Sequence, residues 1–550
     1  MFHGVRRAAA LAALLLSLAP PALAQSAADR ADPSVVREEM RNERSAPNEA
    51  RDGVRIEQRT SGTSASVQPV VIGAVRVDGA VILHPSDFAP AIEPYLGRQL
   101  SGSDLRRLAT DIANVARRAG YGLATAWIPP QTVSGGTLKV SIDEGRIDAV
   151  EAEGSGKANV ERLLVRLVGS RPVRTADLER QLLLAGDVAG VSVDRARIEK
   201  KGGRNVLRVR TALVSSSGRA SIDNWGSSAI GPVRARIDAD FNSALLRGDR
   251  ISVSGVVTPL NPSEFQFLRA AYTVPVGKAG TEVSIAGYLG HSRPGAALAA
   301  EHLEGTSLDV EATLSHPIQR SRAASLWANF QLGLRDSQLD RDGLRVREDR
   351  LTTISAGLSG IARHGEGWLR ARLNLVQGID AFGATGAGDP LASRPDGSGS
   401  FTKIAFAAHH GGQITDDFSY AVGMEGQLAS RPLLASEEMG LGGRSFLRGY
   451  DYRELSGDEG AAAFAELRFN LKSLPRAVRR AQVYAYGDAG TVSNLRGGIG
   501  GGSLASAGGG VRVWLRNRLE AGVELGIPLK DSPFSTGKDP RFSFTFGYAF

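Results

Sequence analysis

The sequence predicts a mainly β protein: an antiparallel transmembrane β-barrel of about sixteen strands, preceded by two small α+β domains. Three observations carry this. From Ser217 onward, apolar residues recur at every second position. The connections between those segments alternate between short and long. The chain then closes on Phe542, Phe544, Phe546, Tyr548 and Phe550, five rings on one side of a single strand.

The clearest segment is Val233 to Phe241. It sets Val233, Ala235, Ile237, Ala239 and Phe241 against Arg234, Arg236, Asp238 and Asp240. One face suits lipid, the other water and counter-charges; a soluble sandwich strand rarely carries so charged a second face. Leu369 to Leu375 and Ala465 to Leu471 repeat the pattern. Short connections are read at Gly277–Ala279, His364–Gly365 and Gly411–Gly412, long ones at Asp336–Glu348, Asp380–Ser400 and Arg431–Gly460. Sorting by parity matches short periplasmic turns and long outer loops.

Before the barrel the chain reads in four parts. Residues 1–24 form a secretion signal: Arg6 and Arg7, an apolar run to Leu18, and Ala22-Leu23-Ala24. Residues 25–69 hold a polar helix opening at Asp32-Pro33 and a flexible linker. Residues 70–147 alternate strands with a helix capped by Ser103, bearing Leu105, Leu108, Ile112 and Val115 on one face and ended by Gly120. Residues 148–215 repeat the plan, with helices at Val160–Leu167 and from Thr175. The barrel takes 216–550. No stretch reaches the roughly 18 apolar residues of a membrane-spanning helix.

The 550 residues contain no cysteine, which excludes disulfides and thiolate chemistry. The formal charge of +8 is spread thinly, with none of the concentrated basic face that nucleic acid demands. Enzymatic motifs are missing too. His409 and His410 point to opposite faces of a strand and cannot share a metal. The glycines of 497–510 lack the helix of a phosphate cradle and read as a flexible outer loop. No active site, metal or cofactor is expected.

One irregular stretch stands apart. Gly442 and Gly443 permit angles other residues avoid, yet Arg444, Phe446, Arg448 and Tyr450 crowd the same loop. The segment Pro432 to Gly460, with its Arg448-Gly449-Tyr450 tip, resembles the inward-folding barrel loop of two-partner secretion transporters, the haemolysin secretion/activation protein family. In that family the tip meets an aromatic-x-Asp-x-Gly motif on a later strand, which here is Tyr486-Gly487-Asp488-Ala489-Gly490. Gly120 to Gly145, with Ile128-Pro129-Pro130-Gln131, resembles the family's first POTRA (polypeptide-transport-associated) domain, and Thr175 to Val193 its second.

The resemblance implies an outer-membrane transporter with its POTRA domains in the periplasm. It would bind a large, unfolded exoprotein of the adhesin or haemolysin type and conduct it through the barrel without ATP, with loop 431–460 folded into the bore. The polar helix would act as a removable plug. The terminal Phe550 resembles the signal that barrels present to the assembly machinery, and the outer face would meet outer-membrane lipid. The alternatives are an outer-membrane protein insertase and a diffusion porin.

Overall fold

A computed structural model of the chain describes residues 29, 32–35, 56–57, 69–133, 135–497, 501–532 and 538–550. The signal segment and most of the linker lie outside these residues. Of the expected polar helix, the described part is a 3-10 turn at Pro33–Val35, with residues 36–44 outside the description.

The first α+β domain is a three-stranded sheet covered by the helix α1, Gly102–Arg118. Thr137–Asp143 is the central strand, parallel to Ala74–Asp78 and antiparallel to Thr125–Trp127. The cap of α1 is Ser101, not Ser103. Ser101 Oγ accepts the Asp104 N–H at 3.2 Å while Asp104 returns a bond to the Ser101 N–H at 2.9 Å, satisfying two otherwise orphaned donors. Ser103 only shares a hydroxyl contact with Ser101. Leu105, Leu108 and Ile112 carry the core, and Val115 is half-buried beside it.

The second domain packs α2 (Lys157–Leu164) and α3 (Thr175–Asp187) on a four-stranded sheet. An outer strand of that sheet is a piece of the linker: Ile56–Glu57 lies parallel to Val191–Lys201, with Ile56 opposite Ala196. This domain is fastened to the barrel. Arg320 donates to both oxygens of Asp187 at 2.7 and 2.6 Å, and Arg180 donates to the Pro317 carbonyl at 2.8 Å.

Sixteen antiparallel strands then close a barrel. Numbered from its first strand, they begin β1 Ser216–Asp223, β2 Arg234–Asn242, β3 Arg250–Val257 and β4 Phe265–Val276. There follow β5 Thr281–Ser292, β6 Leu303–Arg320, β7 Ala324–Arg341 and β8 Leu344–His364. The third quarter is β9 Gly367–Gly378, β10 Thr402–Gln413, β11 Phe418–Ala429 and β12 Glu459–Asn470. The last is β13 Val478–Ser493, β14 Gly502–Leu515, β15 Leu519–Pro528 and β16 Arg541–Ala549.

Strand β16 pairs with β1 from Arg219↔Ala549 to Asp223↔Thr545. Full closure removes the sheet edges, which in lipid would leave rows of backbone donors unpaired. Ile237, Leu268, Ile285, Leu373 and Leu467 stand exposed on the outer face. Asp309, Glu466, Asp488 and Glu524 are buried on the inner one.

Three sequence-based boundaries move. The span Asp336–Glu348 is no long loop. β7 and β8 extend as a tall hairpin turned at Asp342 and Gly343, whose φ values of +51° and +77° suit a tight two-residue turn. Gly411 and Gly412 lie inside β10, and the turn falls after Gln413. Gly502 to Gly510 is barrel strand rather than flexible loop, for a reason that belongs to the site.

Candidate functional site: the inward loop and its wall

Between β11 and β12 the chain turns back toward the bore. A small hairpin, Met439–Leu441 against Leu455–Gly457, stiffens the descent. Gly442 and Gly443 follow at φ +109° and +108°, and a β-carbon on Gly442 would stand 2.1 Å from the Asp451 carbonyl. Only glycine makes that turn. At the tip, a β-carbon on Gly449 would lie 2.8 Å from Ser506 Cβ, so the backbone is pressed against β14. Tyr450 and Leu447 are fully buried and Phe446 nearly so, an unusual state for a loop. The Tyr450 hydroxyl lies 2.9 and 2.8 Å from the Ala505 and Lys530 carbonyls and accepts the Lys530 N–H at 3.0 Å.

Arg448 ends among three carboxylates. Asp488 Oδ2 accepts its backbone N–H at 3.1 Å and its Nε–H at 3.4 Å, while Asp488 Oδ1 takes the Ser506 hydroxyl. The nearest carboxylate to the guanidinium is Glu466, at 2.7 Å from Nη1, and Glu524 lies at 3.4 Å. The guanidinium also sits 3.4 Å above the Tyr486 ring centre, where the ring's negative face adds to the attraction. The motif pair is therefore in contact, but much of Asp488's hold is on the loop backbone. Gly490 is needed for close approach: a β-carbon there would lie 3.0 Å from Leu441 Cδ2 and 3.1 Å from the Ala461 carbonyl.

A second arginine mirrors the first. Arg512 on β14 lies 3.8 Å above the Tyr484 ring centre and donates to both Glu466 oxygens at 2.8 and 3.2 Å. Arg468 adds a fourth bond to Glu466 at 2.6 Å, and the Tyr484 hydroxyl donates to Glu524 at 2.6 Å. The glycines of β14 make this possible. Gly508 pairs with Tyr486 and Gly510 with Tyr484. A β-carbon on either would come within 2.7 or 2.6 Å of the tyrosine hydroxyl, so the rings lie across bare backbone. A cavity of about 360 Å³ opens beside the cluster, lined by Arg444, Arg448, Tyr484, Arg512 and Glu524.

Nothing in the sequence alone marks Glu466, Glu524, Arg512 and Ser506 as one site. Glu466 and Arg468 do share lumen parity in the alternating segment, but only the register, with Glu466 opposite Tyr486, separates them from other lumen charges.

The loop's root is held as firmly. Arg394, from the long β9–β10 connection, donates to Asp458 at 2.8 Å, Glu438 at 3.0 Å and Asn494 at 3.1 Å. His409 faces Phe446 and Phe464 at ring distances of 6.2 and 5.9 Å, while His410 contacts Tyr420.

The remaining sequence candidates lie elsewhere. Ile128 packs on the first domain's core. Pro129 and Pro130 leave the strand, and the Gln131 side-chain amide substitutes for it, donating to the Lys139 carbonyl at 2.6 Å and accepting its N–H at 2.9 Å. Phe542, Phe546, Tyr548 and Phe550 are exposed on the outer face, with Phe544 half-buried among them. Phe550 exchanges backbone bonds with Gly218 at 2.9 and 3.0 Å. Near the N-terminus, Asp29 pairs with Arg347 at 2.5 Å and Asp32 accepts the Ser337 hydroxyl at 2.8 Å.

Residues 206–513 match the family described as haemolysin secretion/activation protein ShlB/FhaC/HecB. The chain belongs to this family. Residues 70–145 match its ShlB-type POTRA domain, and the protein is a two-partner secretion transporter of the outer membrane, with POTRA domains preceding the barrel. It shares 24% identity over 421 residues with the heme/hemopexin transporter protein HuxB of Haemophilus influenzae, spanning 73% of this chain and 72% of that protein. With the outer membrane transporter CdiB of Dickeya dadantii it shares 23% over 484 residues, 82% of each.

Among solved structures, CdiB from Escherichia coli aligns at a TM-score of 0.70 and 21% identity over 93% of this chain and 96% of that one. BamA from Haemophilus ducreyi lacking POTRA domains 1–3 aligns at 0.52 and 12%, covering 88% and 100%. Those likenesses are of fold.

Proposed function

We propose that this transporter binds one large exoprotein in unfolded form through its POTRA domains and passes it through the barrel as loop 431–460 leaves its seat. The observation that carries this is the buried Arg448 cluster, which holds a mostly buried loop inside a charged bore by bonds that can be exchanged. An extended segment can add to an open sheet edge of a POTRA domain, gaining backbone bonds that tolerate varied sequence. The process is not enzymatic. Folding of each exported unit outside the cell, on the order of 5–15 kcal/mol, rectifies diffusion in place of ATP. The terminal aromatics serve recognition by the assembly machinery and then contact with lipid. The contacts of Asp29 and Asp32 with barrel residues support a plug role for the N-terminal segment.

The test is Arg448→Ala. The barrel should reach the membrane and keep its heat-modifiable migration, while export of the partner is lost. Normal export by that variant contradicts the proposal.

A further inference from the structure

Loop release poses an electrostatic problem. A carboxylate left unpaired in a poorly hydrated site is strongly unfavourable, and Arg448 withdraws from three at once. The wall already contains the answer for two of them. Glu466 is bonded to Arg448 through one oxygen at 2.7 Å and simultaneously to Arg512 at 2.8 and 3.2 Å and Arg468 at 2.6 Å. Glu524 lies 4.0 Å from Arg512 and accepts the Tyr484 hydroxyl at 2.6 Å. Asp488 keeps the Ser506 hydroxyl. Arg512 rests on Tyr484 as Arg448 rests on Tyr486, so a leaving guanidinium and a resident one address the same carboxylates from parallel ring faces.

We propose that Arg512 and Arg468 are resident positioning residues that retain Glu466 and Glu524 when Arg448 departs, making the inward loop releasable. The two resident cations stabilise the released state more than the seated one. In the seated state Glu466 has three arginines and tolerates the loss of one. After release it has only these two. Removing Arg512 therefore hinders opening, although Arg512 takes part in the closed cluster. A residue that merely braced the closed cluster would act with the opposite sign.

This inference rests on the proposed release of the loop, and the experiment separates the two. The full-length protein is reconstituted in planar bilayers and its opening frequency recorded, with gel migration checking that each barrel is folded. Asp488→Asn, which weakens the seat itself, should raise opening; no change there removes loop release and this inference with it. Arg512→Gln should lower opening by about tenfold, the factor equivalent to 1.4 kcal/mol. Arg512→Lys should restore most of it, as should Glu466→Gln added to Arg512→Gln, since no charge is then left to retain. If Arg512→Gln does not fold, Arg468→Gln carries the same expectation. An opening frequency that rises or stays level in the folded variant, while Asp488→Asn still responds, overturns the relay and leaves loop release standing.

Discussion

The molecule holds two interfaces together with arginine, and they are built differently. Where the second α+β domain meets the barrel, Arg320 gives its fork to one carboxylate, Asp187, and its remaining nitrogen to the Ser325 hydroxyl, with its side chain only 2% exposed. Where the inward loop meets the wall, Arg448 divides itself among Glu466, Asp488 and Glu524, and Glu466 is itself divided among three arginines. An exclusive bidentate pair cannot be opened without leaving a bare charge. A shared cluster can lose one member and re-pair. The first arrangement suits a fixed joint and the second a movable one.

The comparison can be broken at either interface. The largest effect is expected at the loop's turn: Gly442→Val forces a side chain into the Asp451 carbonyl at a backbone angle valine avoids. Export cycles the loop between its seat and release, so a loop that never seats should stop export, read by secretion of the partner and by protease access to the loop. At the fixed joint, Asp187→Ala leaves the buried Arg320 guanidinium without its carboxylate and should lower stability by about 1.5–3 kcal/mol. That would show as a loosened second α+β domain in hydrogen exchange, with the barrel intact. Loss of loop seating instead would mean the two interfaces are one.

A smaller effect is expected inside the first domain, where Ser101→Ala removes the α1 cap at about 1 kcal/mol, measured as a fall in its melting temperature. The bond from the Ser101 side chain holds the Asp104 carboxyl below its usual range. The cap's ionic contribution is accordingly full above the ordinary aspartate pKa and is lost as pH falls through the depressed one. Smallest of all, the exposed Arg76–Asp78 pair is screened by water, so Arg76→Ala should be silent in the same melt.

How much of this the sequence discloses follows from what alternation can encode. Period two gives the face of each residue, which is why the barrel, its greasy exterior and the lumen position of Asp488 are legible. It gives no register, and register is what places Glu466 beside Tyr486 and Gly508 beneath its ring. The glycines of β14 mislead for the same reason. Read alone they suggest a loose loop; opposite Tyr484 and Tyr486 they are the space the rings occupy. The Arg448–Asp488 pairing is legible only through resemblance to a family, not through any spacing in the chain, and Glu466 and Glu524 carry no comparable signal.

The central claim is that the loop must leave its seat for export. The chain has no cysteine, and Asp451 of the loop accepts the Ser228 hydroxyl of the β1–β2 connection at 2.7 Å, so side chains at these two positions face each other within reach of a bridge. Ser228→Cys with Asp451→Cys should block export when oxidised and restore it on reduction, in the same cells. Equal export with the bridge closed would contradict the account.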